Sequence, residues 1–376
     1  MKIVFTGGGT GGHFYPIIAI AQKVNKIIDE EKIIGAKLYY FSDSSYDREM
    51  LFKNGLIYEN VSTGKLRTYF SFKNFSDVIK TFFGVLNAVY KIFSIYPDVV
   101  FGKGGYASFP TILAARILRI PLFIHESDSA PGRVNNWAGH FAKRVAVSFK
   151  EAAEFFPKER VAWTGQPIRV EIEQKADRDK ALDFFKLESD LPIILVLGGS
   201  QGAELINNTV LDALPRFLKN FRVIHQTGVR NYKEVIGQAD VALVNDKNKS
   251  RYLAFSFLNP LQMKMAAGVA TIIISRAGST IFEIASWGVP SILVPFTESN
   301  ADHAKKNAFC YARAGACSVI EEKNMTANIL SSEIERIIEN RNTYNEMANN
   351  ALAFHKKDAA EKIAKELLHM ALSHEI

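Results

Sequence analysis

Short apolar runs recur along the chain and alternate with longer stretches whose apolar residues fall at helical spacing. Runs near 2–6, 37–42, 97–101, 121–125 and 144–148 are followed by a second set near 192–197, 221–226, 271–275 and 290–294. Runs that stay apolar without alternating predict strands covered on both faces. Strands alternating with helices predict βαβ units and mostly parallel sheets. A composition shift at 165–190, from Gly165-Gln166-Pro167 into charge-rich residues Glu171 to Asp190, divides the chain. The fold class is therefore α/β, read as two doubly wound domains, 1–167 and 168–356, with a terminal amphipathic helix in 357–376 that starts at Asp358.

Glycine turns follow four of these strands. Lys2-Ile3-Val4-Phe5 leads to Gly7-Gly8-Gly9-Thr10-Gly11-Gly12-His13, and Asp98-Val99-Val100-Phe101 to Gly102-Lys103-Gly104-Gly105-Tyr106. In the second half, Ile193 to Leu197 leads to Gly198-Gly199-Ser200-Gln201-Gly202-Ala203, and Thr271 to Ser275 to Arg276-Ala277-Gly278-Ser279. Glycine lets backbone amides close round an anion, and the helix that follows aims its free N–H groups at the same place. In open α/β sheets ligands collect at that end of the strands. A lone Gly7-x-Gly9-x-x-Gly12 fits a dinucleotide fingerprint, but a dehydrogenase does not call for four such turns spread over both halves.

Length, 376 residues with 48% hydrophobic content, fits two globular domains. Cys310 and Cys317 alone make neither a disulfide framework nor a zinc pattern, so a reducing compartment is expected. A strand begins at residue 2, which argues against a signal peptide, and no continuous apolar run reaches the length of a membrane span. A net charge of +7 favours an anionic partner.

Residues 65–96 depart from the rhythm, with nine aromatics and an excess of basic residues. Spacing predicts a crossover helix over 76–95 that packs Val78, Ile79, Phe82, Phe83, Leu86 and Val89 on the sheet. The preceding Phe70, Phe72 and Phe75, with Lys73 and Lys80, suggest instead a patch for an anionic membrane surface. Each basic residue there contributes ~1 kcal/mol and each inserted phenylalanine ~1–3 kcal/mol, enough for reversible attachment.

Taken in order, these motifs resemble the MurG family, the bacterial N-acetylglucosaminyltransferases that convert lipid I to lipid II in peptidoglycan synthesis. The matching segments are Gly7–His13, Gly102–Tyr106, His125-Glu126-Ser127-Asp128 with Pro131-Gly132, Gly165–Arg169, Gly198–Ala203, and Arg276–Ser279 with Glu283. The resemblance covers residues 1 to about 310. It implies a GT-B fold, two Rossmann-like domains facing across a cleft, with the terminal helix crossing back to the first. It also implies an inverting transfer from UDP-GlcNAc to the 4-hydroxyl of a polyprenyl-diphosphate-linked MurNAc-pentapeptide, at the cytoplasmic face of the plasma membrane. No required metal, other cofactor or nucleic acid is implied.

Carried onto this sequence, the donor residues are Thr10, Gly11, Gly12, Asp128, Arg169, Ser200, Gln201, Leu258, Arg276, Gly278, Ser279, Thr280, Glu283, His303 and Ala304. Glu283 would accept from the ribose hydroxyls, Leu258 would hold uracil through its backbone, and Arg169 or Arg276 would stabilise the leaving diphosphate. Gly9, Gly11, Gly104, Gly105 and Tyr106 would bind the acceptor diphosphate. His13 and Glu126 are the candidate bases, with Asp128 a rival carboxylate; a helix N-terminus disfavours imidazolium and keeps His13 able to accept a proton. Asp177-Arg178-Asp179 has the form of a metal-binding Asp-x-Asp but reads better as a helix start.

The sequence departs from the family at Ser127-Asp128, Thr271 and Ala304, in a shorter Arg276–Glu283 loop and a longer segment around Phe257-Leu258. Other readings of the same architecture are a UDP-sugar transferase acting on another lipid such as diacylglycerol, a UDP-GlcNAc epimerase-like enzyme, and a non-catalytic membrane-bound nucleotide-binding scaffold.

Overall fold

The computed structural model describes residues 1–64, 72–188, 190–198, 203–297 and 302–373. It divides into two compact units, Met1–Arg169 with the segment from Lys356 onward, and Val170–His355.

The first unit holds a parallel sheet of β1 (Lys2–Thr6), β2 (Lys37–Ser42), β3 (Leu56–Asn60), β4 (Val99–Gly102), β5 (Leu122–Glu126), β6 (Arg144–Val147) and β7 (Val161–Trp163). Their spatial order is β3-β2-β1-β4-β5-β6-β7. The chain moves outward from β1 to β3, then returns and builds the other way from β4. That makes β1 and β4 neighbours at the switch point, with Thr6 opposite Gly102. Ile3, Phe5, Val99 and Phe101 join the buried core with Phe14, Ile17, Ile20 and Val24 of the helix Gly11–Glu30. The terminal helix Ala359–Leu372 packs on the helix Gly11–Glu30 and adds Ile363, Ala364, Leu367 and Leu368 to the same core.

The second unit repeats the plan with β8 (Ile193–Leu197), β9 (Arg222–Gln226), β10 (Tyr252–Phe255), β11 (Ile272–Ser275), β12 (Ser291–Leu293) and β13 (Cys317–Val319), in the order β10-β9-β8-β11-β12-β13. Here β8 and β11 are the switch-point pair, Leu197 opposite Ser275. Separate apolar clusters cover the two faces of this sheet. Asp177 caps the helix Arg178–Phe185 through a hydrogen bond from Lys180 N at 3.3 Å, so the Asp-x-Asp there is a helix start.

The helix Phe72–Ile95 corrects the expected packing. Its inward stripe is Asp77, Thr81, Gly84, Ala88 and Ile92, while Val78, Ile79, Phe82, Phe83 and Leu86 face outward with Tyr90, Phe93 and Tyr96. Small residues inside let the helix lie close: Gly84 approaches the Ser62 carbonyl, and Gly64 N donates to Thr81 Oγ1 at 3.1 Å. Phe82, Phe83 and Tyr90 are 60%, 62% and 71% exposed. By length and composition Ser76–Ile95 could cross a membrane, although no uninterrupted apolar run signalled it. Its buried stripe and the Lys91–Glu59 ion pair at 2.6 Å make it a surface helix of this unit. Phe70 lies outside the described residues, as do the side chains of Phe72, Lys73 and Phe75; Lys80 is exposed.

Candidate active site

Sheet order brings the first two glycine turns together. Gly7–Thr10 leaves β1 and Lys103–Gly105 leaves β4, and the strands are hydrogen-bonded neighbours. A Cβ built on Gly105 would lie 3.3 Å from the Gly8 carbonyl and 3.3 Å from His13 Cε1. Gly105 has φ 78° and ψ 163°, a conformation essentially confined to glycine. Gly9, at φ 83°, lies against the Tyr106 ring, whose hydroxyl donates to Asp43 Oδ2 at 3.0 Å. Gly9, Gly11, Gly104, Gly105 and Tyr106 thus share one region of one unit, at the N-terminus of the helix Gly11–Glu30.

His13 stands in that helix's first turn, half-buried, its Nδ1 3.0 Å from Thr10 Oγ1. Burial, and then the nearby Lys103 charge, push its pKa down to about 4, against a smaller opposing pull from Asp128. The imidazole is neutral at physiological pH.

Glu126 is differently employed. Its Oε1 accepts from Asp128 N at 2.9 Å, and its Oε2 from Gly132 N at 3.1 Å and Asn135 Nδ2 at 2.9 Å. Both oxygens hold the turn after β5. Burial and Asp128 raise its pKa, opposed by the Asp128 amide, Lys103 and Asn135.

Lys103, between the glycines of the second turn, is only 1% exposed. Its Nζ donates to Ser127 Oγ, Ser127 Oγ donates to Gln166 Oε1 at 3.0 Å, and Ser148 Oγ donates to the same oxygen at 2.7 Å. Burial pushes Lys103 down to about 8 despite the attraction of Glu126 and Asp128. Nothing in periodicity marks this network; the one sequence hint is that Lys103 sits between glycines directly after a buried strand.

Arg169 is buried, its guanidinium 3.8 Å from the Tyr15 ring centroid. Thr10, Gly11, Gly12, Asp128 and Arg169 therefore belong to the first unit, and the remaining donor candidates to the second.

In the second unit, Gly278, Ser279 and Thr280 form the N-terminus of the helix Thr280–Trp287 directly after β11, with Glu283 half-buried in its first turn. A Cβ added at Gly278 would meet nothing within 4 Å. Arg276 is not a spare cation: its NH1 donates to Glu322 Oε1 at 2.6 Å and to the Val294 carbonyl at 3.2 Å, over the Phe296 ring. Glu322, unmarked in the sequence, also accepts from Thr297 N at 2.9 Å. Leu258 is buried, and its N–H is committed to Gln226 Oε1 at 2.9 Å. His303 and Ala304 open the helix His303–Arg313, and Ala304 packs against the core. Ser200 and Gln201 lie outside the described residues. Among the described residues no group of three or more His, Cys, Asp or Glu could hold a metal ion.

The N-terminal domain of glycosyltransferase family 28 matches residues 3–147, and its C-terminal domain residues 193–364. A Bacillus cereus protein named UDP-N-acetylglucosamine–N-acetylmuramyl-(pentapeptide) pyrophosphoryl-undecaprenol N-acetylglucosamine transferase 2 is 35% identical over 370 residues, 97% of this chain and 99% of its own length. The chain belongs to the MurG family. A Thermoanaerobacter member of the family is also 35% identical, over 97% of this chain and 98% of its own. The crystal structure of Acinetobacter baumannii MurG superposes with a TM-score of 0.73 at 25% identity, covering 98% of this chain and 99% of that one. A UDP-GlcNAc 2-epimerase from Neisseria meningitidis, bound to UDP-GlcNAc, has a TM-score of 0.67 at 15% identity over 98% of this chain and 100% of its own, a likeness of fold alone.

Proposed function

We propose that this protein transfers N-acetylglucosamine from UDP-GlcNAc to the 4-hydroxyl of polyprenyl-diphosphate-linked MurNAc-pentapeptide, the lipid I to lipid II step of peptidoglycan synthesis. The observation that carries the reading is the pair of glycine turns abutting at the β1/β4 switch point with a neutral His13 on their rim. Amides of Gly9, Gly11, Gly104 and Gly105 receive the acceptor diphosphate there. With its proton on Nδ1 and Thr10 accepting it, His13 offers the Nε2 lone pair to the 4-hydroxyl. The hydroxyl oxygen bonds to the anomeric carbon as the bond to the UDP oxygen breaks. His13 takes the proton and UDP leaves with the electron pair, inverting the centre. Within the second unit, the helix N-terminus at Gly278–Thr280 suits the donor diphosphate and Glu283 the ribose; no metal ion is assigned to the step.

Glu126 is left to hold its turn, because three donors already occupy its carboxylate. For attachment, the outward face of the helix Phe72–Ile95 supports a peripheral site on the anionic cytoplasmic leaflet. This crossover helix follows β3 and so starts at the C-terminal end of the strands, the end that carries the glycine turns and suits a lipid-anchored diphosphate. A short-chain lipid I analogue, diacylglycerol and no acceptor, compared by UDP release, test the function. Turnover with the first alone is expected; turnover with diacylglycerol, or none with lipid I, refutes it. His13→Ala is expected to lower kcat by ~10²-fold or more, and near-full turnover removes His13 as base.

A further inference from the structure

Lys103 is the buried charge that the proposed chemistry leaves unused. An ammonium taken out of water is destabilising unless compensated. Its Nζ donates to Ser127 Oγ, and the opposite charges acting on it are Glu126 and Asp128 at the end of β5. Its stem and His13 flank the same glycine: a Cβ built on Gly7 would lie 2.9 Å from Lys103 Cβ and 3.8 Å from His13 Cβ. Charged groups facing His13 are Lys103 from the β4 turn and Asp128 from the β5 turn; those facing Lys103 are Glu126 and Asp128, with buried His125 beside it. The first turn of the helix carrying His13 has no acidic residue.

The acceptor adds a further term to this balance. A pyrophosphate on the glycine turns brings at least two negative charges, and like the carboxylates it favours imidazolium. Imidazolium has no lone pair with which to take a proton. We propose that Lys103 is a positioning residue whose buried ammonium keeps His13 neutral beneath the acceptor's pyrophosphate, so that the base survives the arrival of its own substrate. Its bond to Ser127, continued to Gln166, fixes that charge in place. The proposal rests on reading His13 as the base.

The test uses the full chain with Lys103→Gln, which keeps a donor for Ser127 and removes the charge, and Lys103→Met. The readouts are the His13 ring titration by NMR, with and without inorganic pyrophosphate, and the pH profile of kcat with a lipid I analogue. In Lys103→Gln the titration midpoint is expected to rise by at least about one pH unit, further with pyrophosphate, and the acid limb of kcat to rise with it. Asp128→Asn, which removes the opposing charge and leaves Lys103 in place, is expected to move the midpoint down. An unchanged His13 midpoint in the Lys103 variants, or uniform loss of activity at every pH with no displacement of the limb, overturns the proposal. A midpoint that moves while the acid limb stays upholds the charge effect and removes His13 as the base instead.

Discussion

Glu126→Ala separates a structural carboxylate from a catalytic one. Truncation strands three donors, Asp128 N, Gly132 N and Asn135 Nδ2. Asn135 is buried and Nδ2 keeps the His125 carbonyl at 3.0 Å, so the one N–H left unpaired costs about 1–3 kcal/mol. The amides of Asp128 and Gly132 are partly within reach of water and cost less, roughly 0.5–1.5 kcal/mol each. The total is about 2–6 kcal/mol before any cavity term, a large share of the ~5–15 kcal/mol typical of a domain. Glu126→Gln retains one carbonyl oxygen and should lose about half as much. Guanidinium unfolding of both variants, read beside UDP release at saturating substrates, checks this. Expected are a stability loss graded Ala over Gln and, for Glu126→Gln, turnover within about tenfold of the native protein. Glu126→Gln with native stability and turnover down by ~10²-fold or more would make Glu126 a proton acceptor and refute the reasoning.

His225 makes the second unit acid-sensitive. It is fully buried; Nε2 lies 3.0 Å from Asn207 Oδ1 and Nδ1 3.0 Å from the Tyr252 hydroxyl, and Asn207 is oriented by donating Nδ2 to the Thr227 carbonyl at 3.0 Å. This environment suits the neutral ring, and burial pushes its pKa down to about 3. Because the unfolded chain binds the proton more readily, stability from this residue is complete above pH ~6.5 and falls as pH drops from there toward 3, by roughly 4–5 kcal/mol in full. Urea unfolding from pH 7 to 4 should show the loss, and His225→Gln should flatten it; parallel curves would count against the assignment. Gly105→Ala forces a Cβ into a glycine-only conformation at about 1–3 kcal/mol, and should raise the acceptor KM at least about tenfold with little change in the UDP-GlcNAc KM. Equal effects on both would detach Gly105 from the acceptor. Replacing Phe82, Phe83 and Tyr90 with serine should weaken sedimentation with anionic vesicles by about 100-fold or more, while turnover of a water-soluble acceptor persists. Unchanged vesicle binding would exclude this face as the membrane contact.

The apolar pattern by itself located the central strands and the turns at Gly7–Gly12, Gly102–Gly105 and Arg276–Ser279, because a strand buried on both faces is mostly apolar. The strands it missed, β3, β7, β10 and β13, are the outer strands of the two sheets, and apart from Leu56 and Cys317 their residues are half-buried or exposed. Their apolar stretches are short, Leu56-Ile57-Tyr58, Val161-Ala162-Trp163 and Tyr252–Phe255, and Ser318 interrupts the last strand. Which turns meet was decided by sheet order: residues about 95 apart become neighbours only because the chain reverses direction after β3. Tertiary packing also chose the inner face of the helix Phe72–Ile95. Close approach selected Gly84 and Ala88 and turned the phenylalanines outward, opposite to what hydrophobic spacing predicts. The roles of Lys103 and Glu126 were equally hidden, since a lysine's charge and a glutamate's proton depend on what surrounds them, and those surroundings come from several separate strand ends.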